Sequence, residues 1–247
     1  MIMHINVNGI EFDVVADRVY ELERYWRDVA NGQWEPNTFK IFSRFLHKDF
    51  SYVDVGAWIG STVLYGSQLS KHCYAIEPDP IALEILNANI NANRFENITI
   101  WGGALSNRNG KTLVGNYLGL PGDSKSSMLF ANSDTSWVTE GMTLRTFFEM
   151  NQITDCNFIK MDVEGSEILI LPEAQNFLSS FDHTLYLSLH AAFFKNNEVM
   201  IPIMDCLNHL YKNLYLDDGT KINTEYITKI NQNLEIVATN MHLEFLW

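Results

Sequence analysis

An α/β fold built on a doubly wound, mostly parallel sheet is predicted by three features of the sequence. Apolar β-type runs alternate with helix-period segments from Tyr52 onward, the pattern of successive βαβ units. The run Tyr52-Val53-Asp54-Val55-Gly56-Ala57-Trp58-Ile59-Gly60 ends a strand in an acidic residue and turns on two glycines toward a helix near Ser61. The strand after that helix, His72 to Ile76, closes in a second acidic residue, Glu77. A carboxylate at that tip, about 20 residues past the glycine turn, is where a nucleoside-binding α/β sheet accepts ribose hydroxyls.

The elements follow in order. Alternation around Asn8-Gly9 predicts a short hairpin, Ile5 to Val7 with Glu11 to Val15. A helix is expected over Tyr20 to Asn31, broken at Gln33–Thr38, and a second to His47. Strands are expected at Tyr52–Val55, Cys73–Ile76, Ile98–Trp101, Asn157–Met161, Thr184–Leu189, Asn213–Leu216 and His242–Leu246, with an extra one at Lys111–Tyr117. Helices are expected at Ser61–Leu69 and Pro80–Asn93, near Val199–Leu210, and from an N-cap at Thr143 to Met150. The stretch Leu118–Thr135, rich in Gly, Ser, Asp and Asn, reads as a long loop near the site. The apolar segment Leu243–Trp247 is expected to pair in the sheet. Residues 1–50 then form an N-terminal unit covering the site, and residues 51–247 the nucleoside-binding domain.

Composition narrows the partners. At 247 residues the chain suits one such domain, and 47% hydrophobic with 19% charged residues is ordinary for a globular protein. A net charge of -13 argues against a nucleic-acid partner and against anionic membrane surfaces. No stretch reaches the length of a membrane span, and the N-terminus lacks the pattern of a signal peptide. Cys73, Cys156 and Cys206 are scattered, without zinc spacing, which fits reduced thiols in a cytoplasmic setting. A homo-oligomer is compatible with the sequence.

The glycine loop selects the nucleotide. A dinucleotide fingerprint places glycines as G-x-G-x-x-G, so that a pyrophosphate meets the helix start. Here the spacing is G-x-x-x-G, Ala57 and Trp58 stand where open backbone is needed, and Asp54 would repel a pyrophosphate. An acidic residue there suits the ammonium of a methionine moiety. S-adenosylmethionine is therefore expected over NAD, and a dehydrogenase is disfavoured.

Gly32–Glu35 with its WEP turn, DVGAWIGSTVL at 54–64, AIEPDP at 75–80 and FIKMDVEGSEILIL at 158–171 resemble the FkbM-family methyltransferases. The resemblance covers roughly residues 32–192. It implies a Rossmann-like, seven-stranded class I methyltransferase sheet with an antiparallel C-terminal strand, and O-methylation of small molecules and sugars. By the same resemblance Asp54, Gly56 and Gly60, with Ala57 and Ser61 of that loop, line the methionine end of the cofactor. Glu77 takes the ribose, Pro78 and Asp79 shape the adenine side, Ala104 and Leu105 lie near the adenine, and Asp162 stands beside the transferred methyl. Trp58 replaces a small polar residue of the family, and His190 stands where a glutamate is common, so its role has to be argued from chemistry.

A hydroxyl is a poor nucleophile, and a general base within hydrogen-bond reach accelerates its methylation. His190, with an imidazole expected to titrate near neutrality, is the first candidate, oriented by Asp162 or Glu164. Either carboxylate is an alternative base. Together the three residues are also candidates to hold Mg²⁺ or Mn²⁺. Against these readings, a histidine ending an apolar strand is often a satisfied structural group. Lys160 could pair with Glu164 or Glu167. A nucleic-acid methyltransferase that modifies base amines would carry an Asn/Asp-Pro-Pro-aromatic turn where this chain has Asp162-Val163-Glu164-Gly165. A catalytically silent nucleotide-binding module remains the alternative of a different class.

Overall fold

The computed structural model describes residues 1–16, 22–116, 122, 124–131, 136–194, 197–230, 232–243 and 247. The chain opens with the hairpin β1 (Ile2–Val7) and β2 (Ile10–Val15), turning at Asn8 and Gly9, both left-handed. Helices α1 (Leu22–Ala30) and α2 (Pro36–Phe45) follow. The alternating part begins with β3 (Ser51–Val55), α3 (Ser61–Gly66), β4 (His72–Ile76), α4 (Pro80–Asn93) and β5 (Ile98–Trp101). A side excursion comprises β6 (Ala104–Leu105), β7 (Gly110–Asn116), β8 (Ser126–Ser127) and β9 (Trp137–Met142). Then come α5 (Leu144–Met150), β10 (Cys156–Met161), α6 (Glu167–Leu178), β11 (Thr184–Leu189) and α7 (Ile201–Leu210). The last elements are β12 (Asn213–Leu216), β13 (Lys221–Ile222), α8 (Thr224–Thr228) and β14 (Leu234–Thr239).

The main sheet has the order β13-β12-β14-β11-β10-β3-β4-β5. Strands β5, β4, β3, β10 and β11 are mutually parallel, and β14 enters antiparallel between β11 and β12. This is the expected doubly wound sheet with an antiparallel strand, but it carries eight strands rather than seven, because the two-residue β13 adds to the edge. The antiparallel strand also lies earlier than expected. Leu234–Thr239, whose branched residues alternate with Glu235, supplies it, while His242 and Leu243 are not in a strand. Residues 244–246 of the segment expected to pair lie outside the described residues, as do Tyr20, Tyr117 and much of 118–135. The excursion forms a second sheet, β6-β9-β7-β8. Within it only β7 corresponds to an expected strand, and β6, β8 and β9 are additions.

Each face of the main sheet is covered by apolar packing, as burial on both sides demands. Val53, Val55, Ile159, Met161, Leu185 and Leu187 pack toward α6 and α7, joined by Ile170 and Leu207. Tyr52, Phe158 and Tyr186 face the other way, against Phe39 and Phe42 of α2 and Val63 of α3. The hairpin docks on α4 by paired amides. The backbone of Asp13 exchanges hydrogen bonds of 2.6 Å with the Asn93 side chain, and Val15 N donates to Asn89 at 2.7 Å. Cys73, Cys156 and Cys206 are buried and unpaired. No described helix is long and apolar enough to cross a membrane.

Candidate active site

Parallel strands bring their carboxyl ends to one edge, where ligands of such sheets bind. A cavity of ≈ 360 Å³ lies there, within the range of small-molecule sites. The turn after β3 forms one wall. Gly56 has φ +79°, and a Cβ on it would fall 1.7 Å from the carbonyl oxygen of Asp162. Only glycine lets the β3 and β10 ends approach this closely. Gly56, Ala57, Ser61, Glu77, Pro78, Ala104, Leu105 and Asp162 all line the cavity.

Three expected residues do not line it. Asp54 is fully buried beneath the wall and opposite Lys160 in the β3–β10 register. Its carboxylate lies 3.2 Å from the Lys160 ammonium, an ion pair, and its oxygens accept no hydrogen bond. Alternation along β3 explains this: Asp54 shares its face with Tyr52 rather than projecting past the strand end. Gly60 caps α3 at φ +97° and packs against Leu86. Asp79 caps α4, accepting from Ile81 N and Ala82 N, while its second oxygen accepts from Gly122 N and Ser126 Oγ at 3.0 Å each. Asp before Pro80 is an N-cap signal legible in sequence.

Glu77 is buried, and each of its oxygens accepts one backbone N–H, from Trp58 at 2.7 Å and Asp79 at 2.8 Å. Burial pushes its carboxyl up to about 7, against the pull of those two donors. Each oxygen keeps a lone pair free to accept a hydroxyl. Trp58, left-handed at φ 46°, donates from its indole to Gly122 O at 3.0 Å. Its ring meets Tyr25 edge-on at 4.7 Å, and Tyr25 meets Trp34 at 5.3 Å. The Tyr25 hydroxyl donates to Ser61 at 2.8 Å. Helix α1 and the turn before α2 thus join the glycine loop in one aromatic wall.

The cavity lining also includes ionic groups. Lys160 is buried, donates to Gly56 O at 2.7 Å and lies 3.7 Å from Asp162. Burial alone would lower its pKa, but Asp54, Asp162 and Glu35 outweigh it and hold the ammonium charged. The expected pairing of Lys160 with Glu164 or Glu167 is therefore corrected to Asp54 and Asp162. His190, which follows β11, is buried with Nε2 3.6 Å from Asp162 and 3.4 Å from Glu164. Glu167 Oε1 accepts its backbone N–H at 2.7 Å and lies 3.2 Å from Nδ1. The ring stacks on Phe193 at 7° between planes. Burial would depress the imidazole, yet Glu164, Glu167 and Asp162 raise it to about 11. The expectation of an imidazole titrating near neutrality fails, because three carboxylates surround it. The surrounding carboxylates favour its protonated form.

Glu35 and Glu235 also line the cavity and were missed from sequence. Glu35, at φ 37° just before α2, accepts from Thr38. The protein packed around it and the Asp162 charge raise it to about 7, a push tempered because the residue is open to solvent at the cavity mouth. Glu235 of β14 accepts from Ser188 Oγ at 2.6 Å, and burial followed by Asp162 and Glu35 raises it to about 8. From the loop after β7, Ser124, Ser126, Ser127 and Met128 reach the cavity. Ser127 and Ser166 share a 2.8 Å hydrogen bond that ties this loop to the start of α6.

The profile of the methyltransferase FkbM domain matches residues 54–216. No curated protein matches the sequence. Among solved structures, methyltransferase FkbM from Methylobacillus flagellatus KT aligns with TM-score 0.49 and 19% identity, over 91% of this chain and 56% of that one. This chain thus spans little more than half the length of that relative. A Streptococcus mutans protein assigned to the methyltransferases, in complex with SAH, aligns with TM-score 0.45 and 10% identity over 81% and 93%. An rRNA methylase from Streptococcus thermophilus gives TM-score 0.49 and 11% identity over 83% and 95%.

Proposed function

The chain belongs to the FkbM methyltransferase family, and from that premise we propose that it is an S-adenosylmethionine-dependent O-methyltransferase acting on a hydroxyl of a sugar, glycan or other small metabolite. The carrying observation is one cavity lined both by a ribose-type carboxylate, Glu77, and by the Asp162–Glu164–His190 cluster. The residues present fit the cofactor. Glu77 retains acceptor capacity for a ribose diol, and the Gly56 turn leaves the strand ends open where a methionine moiety would lie.

S-adenosylmethionine supplies an electrophilic methyl group, the new O–C bond forming as the C–S bond breaks. The chain supplies position and proton handling. Glu77 anchors the ribose, while the aromatic wall of Tyr25, Trp34 and Trp58 excludes water and offers faces to an apolar sugar edge. Asp162 or Glu164 accepts the hydroxyl proton, and His190, held by Glu167, positions the two carboxylates. Residues 1–50 cover the acceptor side through Tyr25, Trp34 and Glu35. The cavity carboxylates and the net charge of -13 favour a small hydroxylated acceptor over nucleic acid. The three buried thiols fit a cytoplasmic setting.

Calorimetric titration with S-adenosylmethionine and with NADH tests the cofactor. The first should bind and the second not. Glu77→Ala should weaken binding at least tenfold, since a hydrogen bond to a charged group contributes about 1.5–3 kcal/mol. Transfer of labelled methyl to sugars and glycans, with RNA as a parallel acceptor, then tests the reaction. Labelled RNA with unlabelled sugars would overturn the acceptor assignment, and binding without any transfer would favour a silent module.

A further inference from the structure

Resting on that methyl-transfer reading, we propose that Asp162, Glu164 and His190 form a binding site for a divalent cation of the Mg²⁺/Mn²⁺ class that holds the acceptor hydroxyl. One ligand atom from each residue lies within 4.8 Å of the other two. The His190 Nε2 distances of 3.6 Å to Asp162 and 3.4 Å to Glu164 are close to what a shared ion requires. Ligands bound at about 2.1 Å around one small cation stand roughly 3 to 3.5 Å from their neighbours.

Orientation points the same way. A histidine that binds metal through one nitrogen commonly has the other held by a carboxylate. Here Glu167, fully buried, lies against Nδ1 and the His190 backbone N–H through one oxygen, while its second oxygen has no hydrogen-bond partner. Nε2 is thereby turned toward Asp162 and Glu164. After Asp162, the left-handed Glu164 and Gly165, at φ 52° and 95°, turn the chain into α6. Both carboxylates stay at the cavity, with the Asp162 side chain 31% exposed, so coordination positions remain open toward a ligand.

Charge supplies an independent reason. Among the described residues, the carboxylates of Asp54, Asp162, Glu164 and Glu167 crowd around Lys160 and His190. Glu35 and Glu235 face the same space. A divalent cation bound among these carboxylates would offset their negative charge. Two carboxylate oxygens and an imidazole suit Mg²⁺ or, with the nitrogen ligand, Mn²⁺ better. Such an ion fixes a hydroxyl and makes it more acidic.

The competing arrangement is a metal-free imidazolium caged by carboxylates, and Mn²⁺ distinguishes the two. Titration of the full chain, followed by electron paramagnetic resonance, should show one bound Mn²⁺ displaceable by Mg²⁺, with echo modulation from a histidine nitrogen. Asp162→Asn and Glu164→Gln should weaken binding at least tenfold, and His190→Gln should abolish the nitrogen coupling. Thermal melts of each variant control for folding, and the native-protein spectrum needs no variant. Failure of Mn²⁺ to bind, or binding without nitrogen coupling, overturns the site. S-adenosylmethionine titrated into the same preparations separates the two readings. A nitrogen-coupled ion without cofactor binding supports the site and counts against methyl transfer.

Discussion

Lys160 and Asp54 are register partners at the centre of the sheet, and their ion pair lies 3.2 Å apart with Asp54 wholly out of water. The ammonium also holds the Gly56 carbonyl at 2.7 Å. One buried cation therefore supports the turn that lines the cavity. Lys160→Met should destabilise the protein by about 3–5 kcal/mol, because it strands a buried carboxylate. Asp54→Asn in the same chain should recover most of that loss. Denaturant unfolding of the two single variants and the double variant checks the coupling, and additive losses would contradict it.

Glu77 gives a pH dependence with a defined sign. Its folded-state carboxyl is raised from 4.5 to about 7 by burial, so protonation favours the folded state. The stabilising difference is complete below about 4.5 and disappears as pH rises through 7. Over that window the shift is equivalent to about 3 kcal/mol at roughly 1.4 kcal/mol per unit. Glu35 and Glu235 titrate with the same sign, so the native curve alone is not diagnostic. The stability of the native protein relative to Glu77→Gln should fall between pH 5 and pH 8, measured by denaturant unfolding without cofactor. A flat difference would contradict the assignment.

The two amides that dock the hairpin should separate stability from binding. Asn93 holds only the Asp13 backbone across elements, whereas Asn89 also donates to Ile59 O of the glycine loop at 2.8 Å. Asn93→Ala should destabilise by about 1–3 kcal/mol through unpaired backbone groups, with S-adenosylmethionine affinity unchanged. Asn89→Ala should lower both. Melting curves paired with calorimetric titration read the two effects, and equal behaviour of the variants would contradict the distinction.

Much of this architecture is legible in the sequence for local reasons. The strand ends at Val55, Ile76, Met161 and Leu189 show up because apolar runs stop at Gly or at a charged residue. The residues at the next positions therefore converge once the sheet is parallel. Asp54 misleads because an acidic residue at a strand end beside a glycine turn suggests a place at the ligand, while the pleat turns it inward toward Lys160. Glu35 and Glu235 escape because they reach the cavity from elements far apart in sequence, and although Glu35 lies in the WEP turn, nothing in that turn marks its carboxylate as facing a site. The alternation in Trp137–Met142 and Leu234–Thr239 was available, but a longer apolar run at the C-terminus competed for the last strand. The His190 environment depends on three carboxylates meeting in space, which spacing alone does not reveal.

The insertion of β14 between β11 and β12 has a consequence for the order in which the molecule is made. Among the described residues β12 pairs with β14 and β13 alone, so it reaches the rest of the sheet through β14. As the chain leaves the ribosome, β11 must wait with an open edge through some 45 further residues before its partner arrives. Open edges of this kind invite pairing with other chains. The strand that closes the sheet also delivers Glu235. Completion of the fold and completion of the cavity are thus the same late event in synthesis, and a ribosome-stalled chain ending before Leu234 would hold the glycine loop without a finished site.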